Sequence, residues 1–147
     1  MLFKRISRTS AETMFMVVQN VQGSTLSADT TAVFDTGANV DGVRVTQAAA
    51  TTLQAFAGVA DADITNNSFG LLQIYGFRSR VLVDTSTFSA VTGTRLSPIN
   101  ATNTLWVSAA PSTSGPDITK AFAWVAEARI SSTSSSTAFL KAFIRAL

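Results

Sequence analysis

The chain contains no cysteine and no histidine. Without cysteine there is no disulfide framework, and no thiolate to hold zinc or an iron–sulfur cluster. Without histidine the commonest general base is missing, and with it every Ser–His or Cys–His nucleophilic pair. Charge is scarce as well: 14% of residues are charged, against about 25% in an ordinary soluble domain. The eight glycines never cluster as a phosphate cradle, and no Ser-x-x-Lys motif precedes Lys4, Lys120 or Lys141. Long apolar runs are absent too. Met14–Val18 is shorter than the core of a signal peptide, follows Glu12, and leads into Gln19 and Asn20 with no small-residue cleavage site. No stretch approaches the roughly 18 apolar residues of a membrane span. The expectation is a soluble chain with no export signal, no cofactor, no metal and no catalytic residue.

The missing charge is replaced by serine and threonine, which make up about a quarter of the 147 residues. A hydroxyl costs far less to bury than an ammonium or a carboxylate, provided that it finds a hydrogen-bond partner. Such a surface suits a subunit whose outside becomes interface. Net charge is +2 and the eleven basic residues are scattered, whereas nucleic-acid binders concentrate cations on a stripe that neutralises successive phosphates. The exception is the N-terminal group Lys4, Arg5 and Arg8, which reads either as a solvated tail or as an arm docking on an acidic neighbour. These three are the candidate partner-binding residues.

Along the chain, short segments rich in strand formers alternate with Gly, Asn, Asp, Ser and Pro, the pattern of a β-sandwich or barrel. Strands are expected over Thr13–Gln19, Thr31–Asp35, Val43–Thr46, Thr52–Val59, Gly70–Phe77, Arg78–Asp84, Gly93–Leu96 and Thr104–Ser108. Val21–Thr30 reads as a connection, Thr36–Gly42 and Asp61–Asn67 as turns, and the stretch holding Pro111, Gly115 and Pro116 as a loop. Residues 117–130 and 138–147 fit helix or strand, and their β neighbours favour strand. The large aromatics Phe69, Tyr75, Phe77, Trp106 and Trp124 read as inward core residues. At this length one domain is expected over residues 1–147, all-β, a compact β-barrel or β-sandwich of short strands, with residues 1–12 as an N-terminal arm.

One motif calls for chemistry. Asp35-Thr36-Gly37 follows the apolar strand Ala32-Val33-Phe34 and resembles the signature of aspartic proteases. There two carboxylates about 3 Å apart share a proton and supply acid and base together. A second copy would have to provide the twin, because the chain has one such motif, and a glycine-rich flap is missing. The bland alternative is a β-turn, with Asp35 accepting backbone N–H bonds and Gly37 at positive φ. Asp61, Asp63 and Asn66 faintly suggest a calcium loop, but the third ligand, the glycine and the closing Glu of an EF-hand are absent.

Five stretches resemble the small β-rich head decoration (cement) proteins of tailed bacteriophages. They are Gly58-Val59-Ala60 followed by Phe69-Gly70-Leu71-Leu72-Gln73-Ile74-Tyr75-Gly76 and Val81-Leu82-Val83; Gly93-Thr94-Arg95-Leu96-Ser97-Pro98; and the closing Ala142–Leu147. The resemblance spans residues 43–147. It implies a structural virion protein on the outer capsid surface, made in the host cytoplasm, homotrimeric, with the major capsid protein as partner and no direct contact with nucleic acid or membrane. It implies stabilisation of the shell by subunit contacts.

Three classes therefore compete. An assembly subunit predicts oligomers and binding to capsid shells. A homodimeric aspartic protease predicts Asp35 within bonding distance of its mate. A carbohydrate- or peptide-binding β-module predicts Trp or Tyr exposed around a groove.

Overall fold

A computed structural model of the chain describes residues 12–37, 41–86, 90–107, 122–127 and 137–146. Among them every regular element is a strand: β1 (Thr13–Asn20), β2 (Thr31–Phe34), β3 (Arg44–Thr46), β4 (Phe56–Ala60), β5 (Phe69–Asp84), β6 (Arg95–Pro98), β7 (Leu105–Val107), β8 (Ala123–Val125) and β9 (Thr137–Arg145). The all-β expectation holds. Among their described residues the two segments left open between helix and strand hold strands, β8 and β9, and no helix. No helix among the described residues is long and apolar enough to cross a membrane.

The nine strands form one mixed sheet in the order β1-β3-β2-β4-β5-β7-β6-β8-β9, and two further pairings, β1 with β5 and β5 with β9, return it on itself twice. The result is two small rings that share the sixteen-residue strand β5. Its first half is flanked by β1 and β4, its second by β7 and β9. Each ring has its own core. Val18, Leu26, Ala32, Val45, Ala57, Ala60, Ile64 and Leu72 fill the first. Phe56, Val59, Val81, Val83, Leu96, Leu105, Val107, Val125, Leu140 and Ile144 are the larger members of the second.

Strand β4 lies between the cores. Ala57 and Ala60 belong to the first, Phe56 and Val59 to the second, so all five of its residues are buried. A register shift opposite Ala32 and Val33 lets the strand serve both sides. Gly58 sits in this bulge at φ 148°, where an added Cβ would lie 2.5 Å from the Gln73 carbonyl oxygen.

Three expectations need correction. The sequence reads Gly70–Phe77 and Arg78–Asp84 as separate short strands, but they are one long strand kinked by a bulge between Arg78 and Val81. The strand expected from Thr52 begins at Phe56, because residues 50–54 turn, with Thr52 and Ala55 donating backbone N–H bonds to Ala49 and Thr52. Finally, Phe69, Tyr75, Phe77, Trp106 and Trp124 do not line the core; none is buried. The interior of an eight-stranded barrel is only just wide enough for side chains, and a ring of five strands is narrower still. Val, Ala, Leu and Ile fit inside, with Phe56 as the one buried aromatic among the described residues. The other rings are displaced to the outer face.

Candidate functional site: the outward apolar face of β1, β5 and β9

Strand β1 runs antiparallel to the first half of β5, with Val17 opposite Leu71 and Gln19 opposite Phe69. Directly opposed residues share a face, and here that face is the outside of the first ring, since their neighbours Val18 and Leu72 are fully buried. A bulge between Met14 and Phe15 places Met14 opposite Tyr75 and Phe15 opposite Gln73, so both β1 side chains fall on the outer side. Gly76 makes this junction possible. At φ 101° it faces the Glu12 carbonyl so closely that a Cβ would overlap it.

On its other edge β5 carries the face onward to β9, where Tyr75 opposes Arg145 and Phe77 opposes Phe143. Tyr75 meets Phe143 edge-on with centroids 5.2 Å apart, and Trp124 on β8 lies 6.5 Å from the same ring. Beyond the second bulge Leu82 opposes Phe139, which Arg80 covers at 4.2 Å. Met14, Phe15, Val17, Phe69, Leu71, Phe77 and Phe139 are all exposed, Phe69 at 65% and Val17 at 58%. At about 100 Å² for each half-exposed side chain of this size, the strip amounts to roughly 700 Å², above the 300–600 Å² of the largest patch on a typical monomer.

Ion pairing braces the strip from beside and beneath. Arg78, 9% exposed, donates from Nη2 to Asp29 at 2.8 Å and to the Ala60 carbonyl at 2.7 Å. Its Nη1 reaches Asp61 at 3.2 Å and Gln73 Oε1 at 3.3 Å, and its Nε bonds the Arg80 carbonyl at 3.1 Å. Arg80 in turn reaches the second oxygen of Asp29 at 3.2 Å. The fork therefore ties the β5 bulge to the end of β4 and to the Val21–Thr30 connection.

The residues singled out by sequence are distributed differently. Lys4, Arg5 and Arg8 lie outside the described residues. Asp35 accepts the Gly37 N–H at 3.0 Å and stands 3.7 Å from Arg44 Nη2, as a turn requires, although Gly37 is not among the positive-φ glycines. Asp61, Asp63 and Asn66 do not converge. Asp61 serves Arg78, Asp63 accepts the Ala28 N–H at 2.7 Å, and Asn66 accepts the Gly23 N–H at 3.0 Å. Among the described residues no group of three or more potential ligands could hold a metal ion. Asp41 accepts the Val43 and Arg44 N–H groups. These bonds, Val43 first, hold its carboxyl below the ordinary aspartate value. Its small contribution to stability is thus present above the pKa of the free side chain and fades as pH falls through the lowered folded value. NMR titration of the Asp41 carboxyl should give a midpoint below that of a free aspartate.

Among the described residues the two-ring β-scaffold thus has an aliphatic interior and carries its large apolar side chains on the outer face. No family model and no curated protein matches the chain. Among solved structures it is similar to the N base of head fiber gp8.5 of bacteriophage phi29, with a TM-score of 0.53 and 15% sequence identity over 92% of this chain and 96% of that one. At that identity the likeness establishes a shared fold.

Proposed function

We propose that the chain is a structural bacteriophage virion protein that attaches to the capsid and acts by packing against neighbouring protein subunits. The observation that carries this reading is the outward apolar strip, larger than the largest apolar patch of a typical monomer, a feature that marks interaction surfaces. The fold shared with a phage head fiber base supports it and supplies the setting. More finely, we propose a decoration role: one domain, homotrimeric, seated on the major capsid protein, with residues 1–12 as an arm whose Lys4, Arg5 and Arg8 engage the shell or a sister subunit. A ligand that binds only the expanded shell stabilises it by RT ln(1 + [L]/Kd) per site, and symmetry repeats modest contacts many times.

Co-sedimentation with purified shells tests this. The full chain is expected in the pellet at saturable occupancy, and deletion of residues 1–10 is expected to lower that occupancy about tenfold at sub-saturating concentration. Absence of the full chain from the pellet sinks shell attachment; unchanged occupancy of the truncated chain sinks the arm.

A carbohydrate-binding module is the second reading, favoured by the part-exposed Trp124–Phe143–Tyr75 group. Its weakness is shape, because the outer wall of a ring curves away from a ligand instead of around it. The protease reading has less. The Asp35 carboxylate is already engaged by Gly37 and by the nearby Arg44.

A further inference from the structure

We infer that the β1–β5 part of the outward strip, centred on Val17, Leu71 and Phe69, is the face through which copies of this chain associate with one another. This rests on the assembly reading above and names the partner of that surface as a second copy.

Three observations converge on this partner. The first is area. Met14, Phe15, Val17, Phe69 and Leu71 are exposed on adjoining strands, and at about 100 Å² each they supply about 500 Å², the larger part of the roughly 800 Å² per partner of a stable interface.

The second is charge. Neither Thr13–Asn20 nor Phe69–Phe77 contains a charged residue. The cores of homodimer interfaces are apolar and depleted of charge, whereas rims and steered encounters with unlike partners use complementary charges. The β9 portion of the strip is different: Lys141 and Arg145 interleave with its aromatics, which leaves that portion for an unlike partner.

The third is the backbone. Along Thr13–Val18 one edge of β1 is paired with β5, while on the other edge the pairing with β3 involves only Gln19 and Asn20 among the described residues. An apolar edge strand with free N–H and C=O groups is an aggregation hazard unless something covers it. Among the described residues no strand pairs with that stretch of edge, and a second copy is a partner available to cover it before any shell exists.

The test is the mass of the purified full chain by light scattering coupled to size exclusion. The wild type is expected as an oligomer at tens of micromolar. The double variant Val17→Lys with Leu71→Glu places an opposite-charge pair at directly facing positions, which the β1–β5 ladder tolerates. It is expected to run as a monomer of 15.5 kDa with an unchanged far-ultraviolet circular dichroism spectrum. Should that variant fail to fold, Val17→Thr with Leu71→Thr is expected to raise the dissociation concentration at least tenfold. Val91→Glu, exposed outside the strip, is expected to keep the wild-type mass.

A monomeric wild type, a strip variant that folds and retains the oligomer, or dissociation by Val91→Glu as well would each overturn the inference. Shell co-sedimentation separates this from the wider reading. A monomer that still binds shells defeats self-association alone, and an oligomer that never binds shells defeats shell attachment alone.

Discussion

Gly58→Ala is expected to lower the stability of the fold by about 4 kcal/mol, combining roughly 1–3 kcal/mol for a side chain forced into a glycine-only conformation with a similar overpacking cost. The position leaves no easy relief. Its φ is 148°, and the new methyl would meet the backbone carbonyl of Gln73 at 2.5 Å and Leu72 Cβ at 3.2 Å. Moving β4 away from β5 would separate Ala57 and Ala60 from one core, and Phe56 and Val59 from the other. Gly23→Ala is the control. It also has positive φ, but nothing lies within 4 Å of the added methyl, so about 1 kcal/mol is expected. Urea titrations followed by circular dichroism compare the two. Equal small losses would mean that β4 is not held between two cores.

The alternating and β-branched segments made the fold class readable, because period-two patterning survives wherever one face is buried and the other wet. Val81, Val83, Leu105 and Val107 follow that rule. Where a strand is apolar on both faces the rule says only that both will be covered, and it cannot say by what. Thr13–Gln19 is such a case. Its weak alternation arises from the bulge at Met14 and Phe15 and from Phe15 and Val17 facing outward. The inward placement of Tyr75, Phe77, Trp106 and Trp124 failed for a related reason. Hydrophobicity alone favours burial of a large ring, but ring closure limits the interior width, and closure is a long-range property set by the pairings of β5 with β1 and β9. The strand-like density of aromatics outside any possible core was the available signal.

Continuity of β5 was likewise hidden. Arg78, opening the polar run Arg78-Ser79-Arg80 in the middle of the strand, looks like a break, and its five donors look like surface charge. Its partners come from residues 49, 18 and 17 positions away, at Asp29, Ala60 and Asp61, so no local pattern announces them. The candidate site shares this limit. The residues of the strip were visible as hydrophobic, while their common exposure depends on the register of three strands. The Asp35 turn was readable from composition because an Asx-type bond spans two residues.

Arg78→Ala is expected to cost about 3–5 kcal/mol, the range for removing one partner from a buried ion pair. The loss has several parts. The Ala60 carbonyl and Gln73 Oε1 lose the guanidinium donor, and Asp29, itself mostly buried, keeps only Arg80 and the exposed side of its carboxylate. Arg78→Lys should recover less than half, because a single ammonium cannot serve five acceptors held in a planar fork. Lys141→Ala is the reference for surface pairing: its 3.0 Å contact with Glu127 is exposed on both sides, and less than about 1 kcal/mol is expected from such pairs. The Arg78 effect should also persist in 0.5 M salt, since screening acts weakly on buried charge. The pattern of loss discriminates further. Because Arg78 joins the β5 bulge to the end of β4, its removal should raise amide exchange first at Ala60, Asp61 and Leu82, whose N–H groups bond Thr30, Leu71 and Asp29 at the junction of the rings. Uniform acceleration across both cores would instead make Arg78 an ordinary stabilising residue, and the two rings a single cooperative body that needs no brace.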